Sequence, residues 1–469
     1  MDPGAAAFKD PVAQKDLAEV AQSAIDTAET YLNADQLADA VNAIIVAEKE
    51  CRNNADGASG ARLCVWLLKK LFEGGKVDDA CEWVMTASKK RSQLKRVQID
   101  LVREGMEWIG RMPDRATKYK LLDTLCKITE GKLFVEVERA RTILQLAHVK
   151  EEEGDIAAAA AVIQEVQVEG NIYMDKFEKG FYLLEQMRLV IAKGDWARCQ
   201  IVAKKVNKRT IEGEGFELIK LMFYGYMAQY YNHEKDMTNL AECYASCLNS
   251  KLDAESVDLK KLEAFLPAEI DIQFGEGKKL ELWYLSSLLI ALAVSEESPE
   301  KVSSIRVVLK KHEKALRKLT HIRELGEQLT QDDVSPWQPG CIQTVLQHPL
   351  LNSDQLLPDV EDRRKALELA YLHHNLVVVS KFYKRTSLQG LSKLLCFNQE
   401  ETEDNLCTLI LKGNIQAKIN RPAGIVVFNQ TREEDAVNNW AAAISRTLDG
   451  LCEACNLIDK ECQKTPLST

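Results

Sequence analysis

The stretch Ile410-Leu-Lys-Gly-Asn-Ile-Gln-Ala-Lys-Ile-Asn-Arg-Pro-Ala-Gly-Ile-Val-Val-Phe428 sets the reading of the whole chain, because here a two-stranded pattern follows a run of helices. Ile415, Ala417 and Ile419 alternate with polar residues, Arg421-Pro-Ala-Gly424 supplies a turn, and Ile425 to Phe428 is an apolar run rich in β-branched residues. Just upstream, Ser387 begins a short amphipathic helix through Leu395, and Asn398 marks a turn. A second helix is predicted from Glu400 to Lys412, with Leu406, Leu409 and Ile410 on one face and Gly413 past its end. The pattern is a winged helix. Such a unit either reads DNA or docks proteins, and charge separates the two uses. The helix that would enter a groove carries Glu400, Glu401, Glu403 and Asp404 against Lys412. Phosphate binding needs the opposite sign.

Working outward, Asp362 to Arg385 is predicted as a long helix feeding the winged helix. Beyond the wing, Glu433 to Glu461 forms one more helix. There Val437, Trp440, Ile444, Leu448, Leu451, Cys455 and Ile458 recur at a mean spacing of about 3.5 residues, the period of a bundle seam. Towards the N-terminus the pattern is helical and repeats. A turn followed by small residues recurs as Ala34-Asp-Gln-Leu-Ala-Asp-Ala40, Gly75-Lys-Val-Asp-Asp-Ala80, Gly154-Asp-Ile-Ala-Ala-Ala159, Gly194-Asp-Trp-Ala197 and Lys235-Asp-Met-Thr-Asn-Leu-Ala241. The intervals are 41, 79, 40 and 41 residues, so one degenerate turn is expected near Pro113-Asp114. A period near 40 that opens in a turn marks a two-helix repeat whose apolar face is covered by the next repeat. Ala80 and Ala157 are expected to let the second helix of a pair approach closely.

Between these parts, Glu263 to Gly277 reads as a break, Lys301 to Gln331 as a charged helical region, and Asp332 to Pro358 as a turn-rich connection. The expected fold is therefore all-α-dominated: a right-handed α-solenoid of two-helix, TPR-like repeats over 1–250, an irregular helical continuation with a Pro-rich connection over 251–360, a helix and winged helix over 361–430, and a long C-terminal helix over 431–469.

Asn375-Leu-Val-Val-Val-Ser-Lys-Phe-Tyr-Lys384, followed by Lys418-Ile-Asn-Arg-Pro-Ala-Gly424, resembles the PCI domain shared by subunits of the proteasome lid, the COP9 signalosome and translation initiation factor three. Ser88-Lys-Lys-Arg-Ser-Gln-Leu-Lys95, Leu122-Asp-Thr-Leu125, Thr129-Glu-Gly-Lys-Leu-Phe-Val-Glu-Val-Glu-Arg-Ala-Arg141, Gln164-Glu-Val-Gln-Val-Glu169 and Leu184-Glu-Gln-Met-Arg-Leu189 are similar to the proteasome-lid branch. Residues 252–358 match little of it. The resemblance implies a scaffold subunit of the lid that touches other lid subunits, including the deubiquitinase, and faces the ATPase ring and core particle. It also implies winged helices paired edge to edge in an arc, terminal helices gathered in a bundle, and residence in cytoplasm and nucleus. The residues expected to carry these contacts are Leu409, Ile415, Ile419, Arg421 and Phe428 in the winged helix, and Val437, Trp440, Ile444, Leu448, Leu451 and Ile458 in the terminal helix. Two alternatives are a COP9 signalosome scaffold subunit and a winged-helix nucleic-acid adaptor.

Composition agrees with a protein-binding role. The net charge is −10 with 28% charged residues of both signs, giving no global attraction to nucleic acid or an anionic membrane. The start, Met1-Asp-Pro-Gly-Ala-Ala-Ala, lacks a secretory pattern. Trp283 to Val294 is too short to span a membrane and reads as a buried helix. The 13 cysteines form no framework and are expected as free thiols. Cys452 and Cys455 make a lone CxxC, and Cys243 and Cys247 lie four apart without a nearby histidine at zinc spacing. None of the seven histidines forms an HxH, HExxH or HxxEH arrangement, and no GxxxxGK[ST], GxGxxG or GxSxG occurs at a suitable place. No cofactor, metal or catalytic residue is expected. Adjacent His373 and His374 point about 100° apart on a helix and cannot share an ion. The basic run Lys89 to Arg96 reads as a solvated face.

Overall fold

A computed structural model describes residues 11, 13–34, 36–112, 114–250, 276–334, 339–352, 360–428 and 433–464. Two compact units are present, one holding the described residues up to Tyr230 with Asn249 and Ser250, and the other Tyr231–Leu248 with those from Glu276 onward.

The first unit is a stack of helix pairs: α1 (Ala18–Asn33) with α2 (Leu37–Asn53), α3 (Gly57–Glu73) with α4 (Val77–Lys89), α5 (Lys95–Ile109) with α6 (Arg115–Thr129), α7 (Glu136–Glu152) with α8 (Ile156–Ile163), and α9 (Lys176–Lys193) with α10 (Trp196–Lys205). A short α11 (Lys208–Ile211) and the long α12 (Glu217–His233) follow. The expected turns fall between the partners of a pair, and the degenerate one lies between α5 and α6. Their chemistry is local. Gly154 and Gly194 adopt left-handed φ of 85° and 81° to end one helix, and the next residue, Asp155 or Asp195, caps the following helix by accepting from the Ala158 or Arg198 amide. Ala80 is fully buried as expected. Ala157 is exposed, and Ala159 and Ala160 take the close-packed positions instead, because Ile156 opens the helix one residue after the Asp155 cap.

Successive repeats are also joined by ion pairs and hydrogen bonds between residues 34–42 apart in sequence, the repeat length seen in three dimensions. Arg141 reaches Glu178 at 2.6 Å, Arg188 reaches Glu151 at 2.6 Å, and Lys90 reaches the buried Glu48 at 2.8 Å. Most such pairs are half-exposed and contribute less than about 1 kcal/mol each. Cohesion comes from one apolar core that runs unbroken from Leu17 to Val149. Where α5 meets α6, an added Cβ at Gly105 would stand 3.0 Å from Leu125 Cδ2, so glycine permits the close crossing.

The second unit begins with α13 (Met237–Leu248) and the buried α14 (Glu276–Val294), which pack together. α15 (Pro299–Lys311), α16 (Glu313–Leu316) and α17 (Thr320–Gln328) follow. The segment expected as a turn-rich connection contains two helices, α18 (Pro339–Leu346) and α19 (Pro349–Asn352), each opening on proline at its first position, where the missing N–H costs nothing. Residues 335–338 and 353–358 of that connection, and the expected break up to residue 275, lie outside the described residues. α20 (Val360–Phe382) then feeds the C-terminal module: β1 (Arg385–Ser387), α21 (Leu388–Leu395), α22 (Gln399–Leu411), β2 (Ala417–Asn420) and β3 (Ile425–Phe428), followed by α23 (Glu433–Lys464).

Candidate functional site: the winged-helix sheet and the terminal helix

The wing has three strands, not two. β3 is central, antiparallel to β1 on one side and β2 on the other, in the order β1-β3-β2. β1 escaped the sequence reading because three residues show no period, and its pairing with β3 joins segments 40 residues apart. Thr386, Val426 and Ile419 lie in one cross-strand row and Arg385, Val427 and Lys418 in the next, so the rows alternate between core and solvent.

The core below the sheet joins Leu372, Leu376 and Val379 of α20 to Leu388, Leu391, Leu395, Leu406, Leu409, Ile415, Val426 and Phe428. Leu409, Ile415 and Phe428 are thus buried in the module's own core and have no surface with which to meet a partner. Their apolar side chains are used in holding helix to sheet, so any contact they support is made through the shape of the wing. Ile419 is half-buried at the edge of that core. Arg421 is exposed at the turn and pairs with Glu403 of α22 at 2.6 Å. Besides Arg421, the solvent-facing residues include Lys384, Arg385, Lys418 and Val427 on the sheet side, and Glu400, Glu401 and Asp404 on α22. Among the described residues Lys384, Arg385 and Lys418 have no acidic partner, so the module is basic on its sheet and acidic on its helix. The alternation of Lys418 with Ile419 signals the first of these faces in the sequence.

A buried ionic node fixes the module to α14 and α15. Lys301 Nζ donates to the carbonyls of Ala293 and Ser295 at 2.9 Å and to Glu297 Oε2 at 3.2 Å. His374 Nδ1 lies 3.7 Å from Glu297 Oε1. From the winged helix, Asn414 Nδ2 donates to the Glu297 carbonyl and Lys412 pairs with Glu296, both at 2.9 Å. Burial pulls the Lys301 ammonium below its ordinary value, with the Glu297 charge opposing. Burial alone would raise the Glu297 carboxyl, but the neighbouring His374 ring and the Lys301 ammonium outweigh it and hold it low. Neighbouring His373 bonds Asn405 at 3.0 Å, so both histidines tie helices together.

The terminal helix is the opposite case. From 439 to 460 every described side chain of α23 is exposed, as is Val437. Trp440 keeps 77% of its surface, and Val437, Ile444, Leu448, Leu451 and Ile458 keep 55–65%. The whole predicted seam therefore faces solvent on the isolated chain, with Cys452 and Cys455 exposed among it.

A family model described as PSMD12/CSN4, N-terminal, matches residues 39–255, and one described as PCI domain matches residues 343–430, together well over half of the chain. The chain belongs to the PCI-domain family. Its relatives include the 26S proteasome non-ATPase regulatory subunit 12 of Dictyostelium discoideum, 28% identical with 96% of this chain and 95% of that protein covered. Homolog B of that subunit in Arabidopsis thaliana is 29% identical, covering 91% of this chain and 97% of the homolog. The 26S proteasome regulatory subunit RPN5 of Saccharomyces cerevisiae is 29% identical over 90% of each.

In this PCI chain, the nearest approach to a catalytic pair among the described residues is Ser286 Oγ and His348 Nε2, 2.9 Å apart. Its protons run the wrong way for a nucleophile. His348 Nδ1 accepts from the Leu350 amide at 3.2 Å, so the proton of the neutral ring sits on Nε2 and is donated to Ser286, whose own proton goes to the Trp283 carbonyl at 2.9 Å. The ring lies flat on Trp283, centroids 5.0 Å apart, and burial lowers its pKa to about 4. This is a packing contact. A cleft of about 400 Å³ near the N-terminus of α20 is lined by ions already engaged: Lys235 with Asp362 at 2.7 Å, Glu296 with Lys412, and Arg363 with Asn232 at 3.2 Å. Among the described residues no group of three or more His, Cys, Asp or Glu side chains is placed to hold a metal. No helix among them is long and apolar enough to cross a membrane.

Proposed function

We propose that the chain is a non-catalytic scaffold subunit of the proteasome regulatory particle lid, which assembles and positions the deubiquitinase and ATPase modules for ubiquitin-dependent degradation. The observation that carries this reading is similarity along nearly the whole chain to proteins named as 26S proteasome regulatory subunits. Three features of the molecule support it. The helical repeats offer a long polar surface, the sheet of the winged helix leaves β1 and β2 with open outer edges, and α23 presents an uncovered seam. In this role the wing docks a neighbouring lid subunit through Arg385, Lys418 and Val427 together with Ile419 and Arg421, while Leu409, Ile415 and Phe428 hold its shape. Val437, Trp440, Ile444, Leu448, Leu451 and Ile458 enter a bundle with the terminal helices of sibling subunits. The sites of work are cytoplasm and nucleus, the particle meets the ATPase ring and core particle, and neither nucleic acid nor membrane is a partner. The chain itself turns over neither ATP nor ubiquitin chains.

Affinity purification of the tagged full chain from cell extract, followed by mass spectrometry, tests the assignment. Recovery of lid subunits with ATPase and core-particle subunits is expected. Recovery of COP9 signalosome subunits without the core particle would replace this reading by the paralogous one.

A further inference from the structure

A second feature lies on the repeat stack, far in sequence from the winged helix. Between the start of α9, the end of α10 and the start of α12 is a cleft of about 210 Å³. Its floor is apolar, from Leu183, Val206, Ile211, Phe216 and Ile219, and its rim carries Lys176, Lys179 and Lys205. The floor exists because α9 passes close to α12 at Gly180, where an added Cβ would stand 3.0 Å from Ile219 Cδ1. Glu169, the acid in the wall, is held by Lys205 at 2.9 Å. Among the described residues Lys176 and Lys179 have no acidic partner; Lys204, Lys208 and Arg209 stand exposed at the end of α10 and on α11, with Asp175, Glu212 and Glu214 exposed nearby. The lining of the cleft itself carries three lysines against one carboxylate. The lip is apolar as well: Ile172 keeps 86% of its surface, and the Phe177 ring, partly exposed, lies 6.1 Å from Phe216.

We propose that this cleft receives one apolar side chain of a partner protein from within an acidic segment, the flanking carboxylates pairing with Lys176 and Lys179. Size excludes a larger occupant, because sites for cofactors and drug-sized molecules run to about 300–1,000 Å³. Floor chemistry excludes a bare anion, which would leave five apolar side chains facing an ion with no use for them. The same floor argues against nucleic acid, whose phosphates would satisfy the lysines while its bases found no wide aromatic platform. What remains is an anchor of aliphatic or aromatic character held in a basic collar, a mode in which apolar burial gives affinity and charge gives approach rate and specificity.

The test uses the purified full chain and a fluorescein-labelled peptide with one phenylalanine between pairs of glutamates. Saturable anisotropy is expected, weakened about tenfold or more by the double substitution Lys176→Glu/Lys179→Glu, as for loss of close charge pairs. The same loss is expected, in the unaltered protein, when glycine replaces the phenylalanine of the peptide. Because neither lysine is part of the core, the variant should melt with the wild type. Absence of binding, binding that ignores the charge reversal, or equal competition by inorganic phosphate or by the phenylalanine-free peptide would overturn the proposal. Preferential binding of an RNA oligonucleotide at the same lysines would overturn it too. None of these outcomes depends on which assembly the chain enters.

Discussion

Deleting the terminal helix by ending the chain after Thr431 separates folding from assembly. A tryptophan buried in a core is worth about 3–5 kcal/mol when removed, which is a large part of a typical stability of about 5–15 kcal/mol. Trp440 retains 77% of its surface here, and the five aliphatics of the seam retain 55–65%. Their removal from the isolated chain therefore takes almost no buried area with it, and the expected change in folding stability is well under about 1 kcal/mol. For a large domain that is less than about 2–4 °C in the melting midpoint. In a bundle the same six side chains would each contribute about 1.5–3 kcal/mol on burial, roughly 10 kcal/mol or more in sum before the costs of association.

The two quantities differ so widely that the assay is decisive. Thermal melting of the purified truncated chain should match the full chain, while its recovery in the assembled particle should collapse. A midpoint lowered by several degrees in isolation would show that α23 packs on its own chain in solution. Undiminished incorporation would show that the seam is not where the assembly holds this subunit.

Further outcomes follow from the second unit. Lys301→Met leaves Glu297 with a buried and weakly compensated charge and should cost about 3–5 kcal/mol in urea unfolding; a loss below about 1 kcal/mol would mean that the node is not what holds the winged helix to α14 and α15. His348 has a folded pKa of about 4 against 6.5 when free, so the unfolded chain binds the extra proton between those values. Its stabilisation is complete above pH 6.5 and is lost as pH falls towards 4. Solvent at the edge of the ring trims the effect to about 1–3 kcal/mol. His348→Gln should therefore flatten the fall of the melting midpoint between pH 7 and 4.5, and superimposable profiles for the two proteins would refute the assignment. Arg385→Glu with Lys418→Glu reverses the sheet face without touching its core; incorporation should drop and melting should hold, and a variant that incorporates normally would move the docking surface elsewhere.

How far the sequence revealed this molecule depends on the range of the interaction concerned. The turns at Gly154 and Gly194 were legible because the signal is contained in two residues, a left-handed glycine and a capping aspartate. The missing turn near Asp114 was legible from the period alone. The seam of α23 was legible because a helical stripe needs no partner in its own chain to be periodic. β1 was not, since three residues become a strand only through β3, and its recognition requires the fold first. The apolar residues of the wing were ambiguous for a related reason. Apolar character at Leu409, Ile415 and Phe428 is equally compatible with a core and with an interface, and burial decides between them. Polar residues on the sheet carry the reverse ambiguity: Lys418 and Arg385 resemble ordinary solvated positions until the register puts them in one row across Val427. The ionic node was hidden most deeply. Glu297 and Lys301 are four apart at a helix start, a spacing that on an exposed surface contributes a few tenths of a kcal/mol. Only the closure of α14, α20 and α22 around them turns that pair into a buried group of charges whose partners must all be present together.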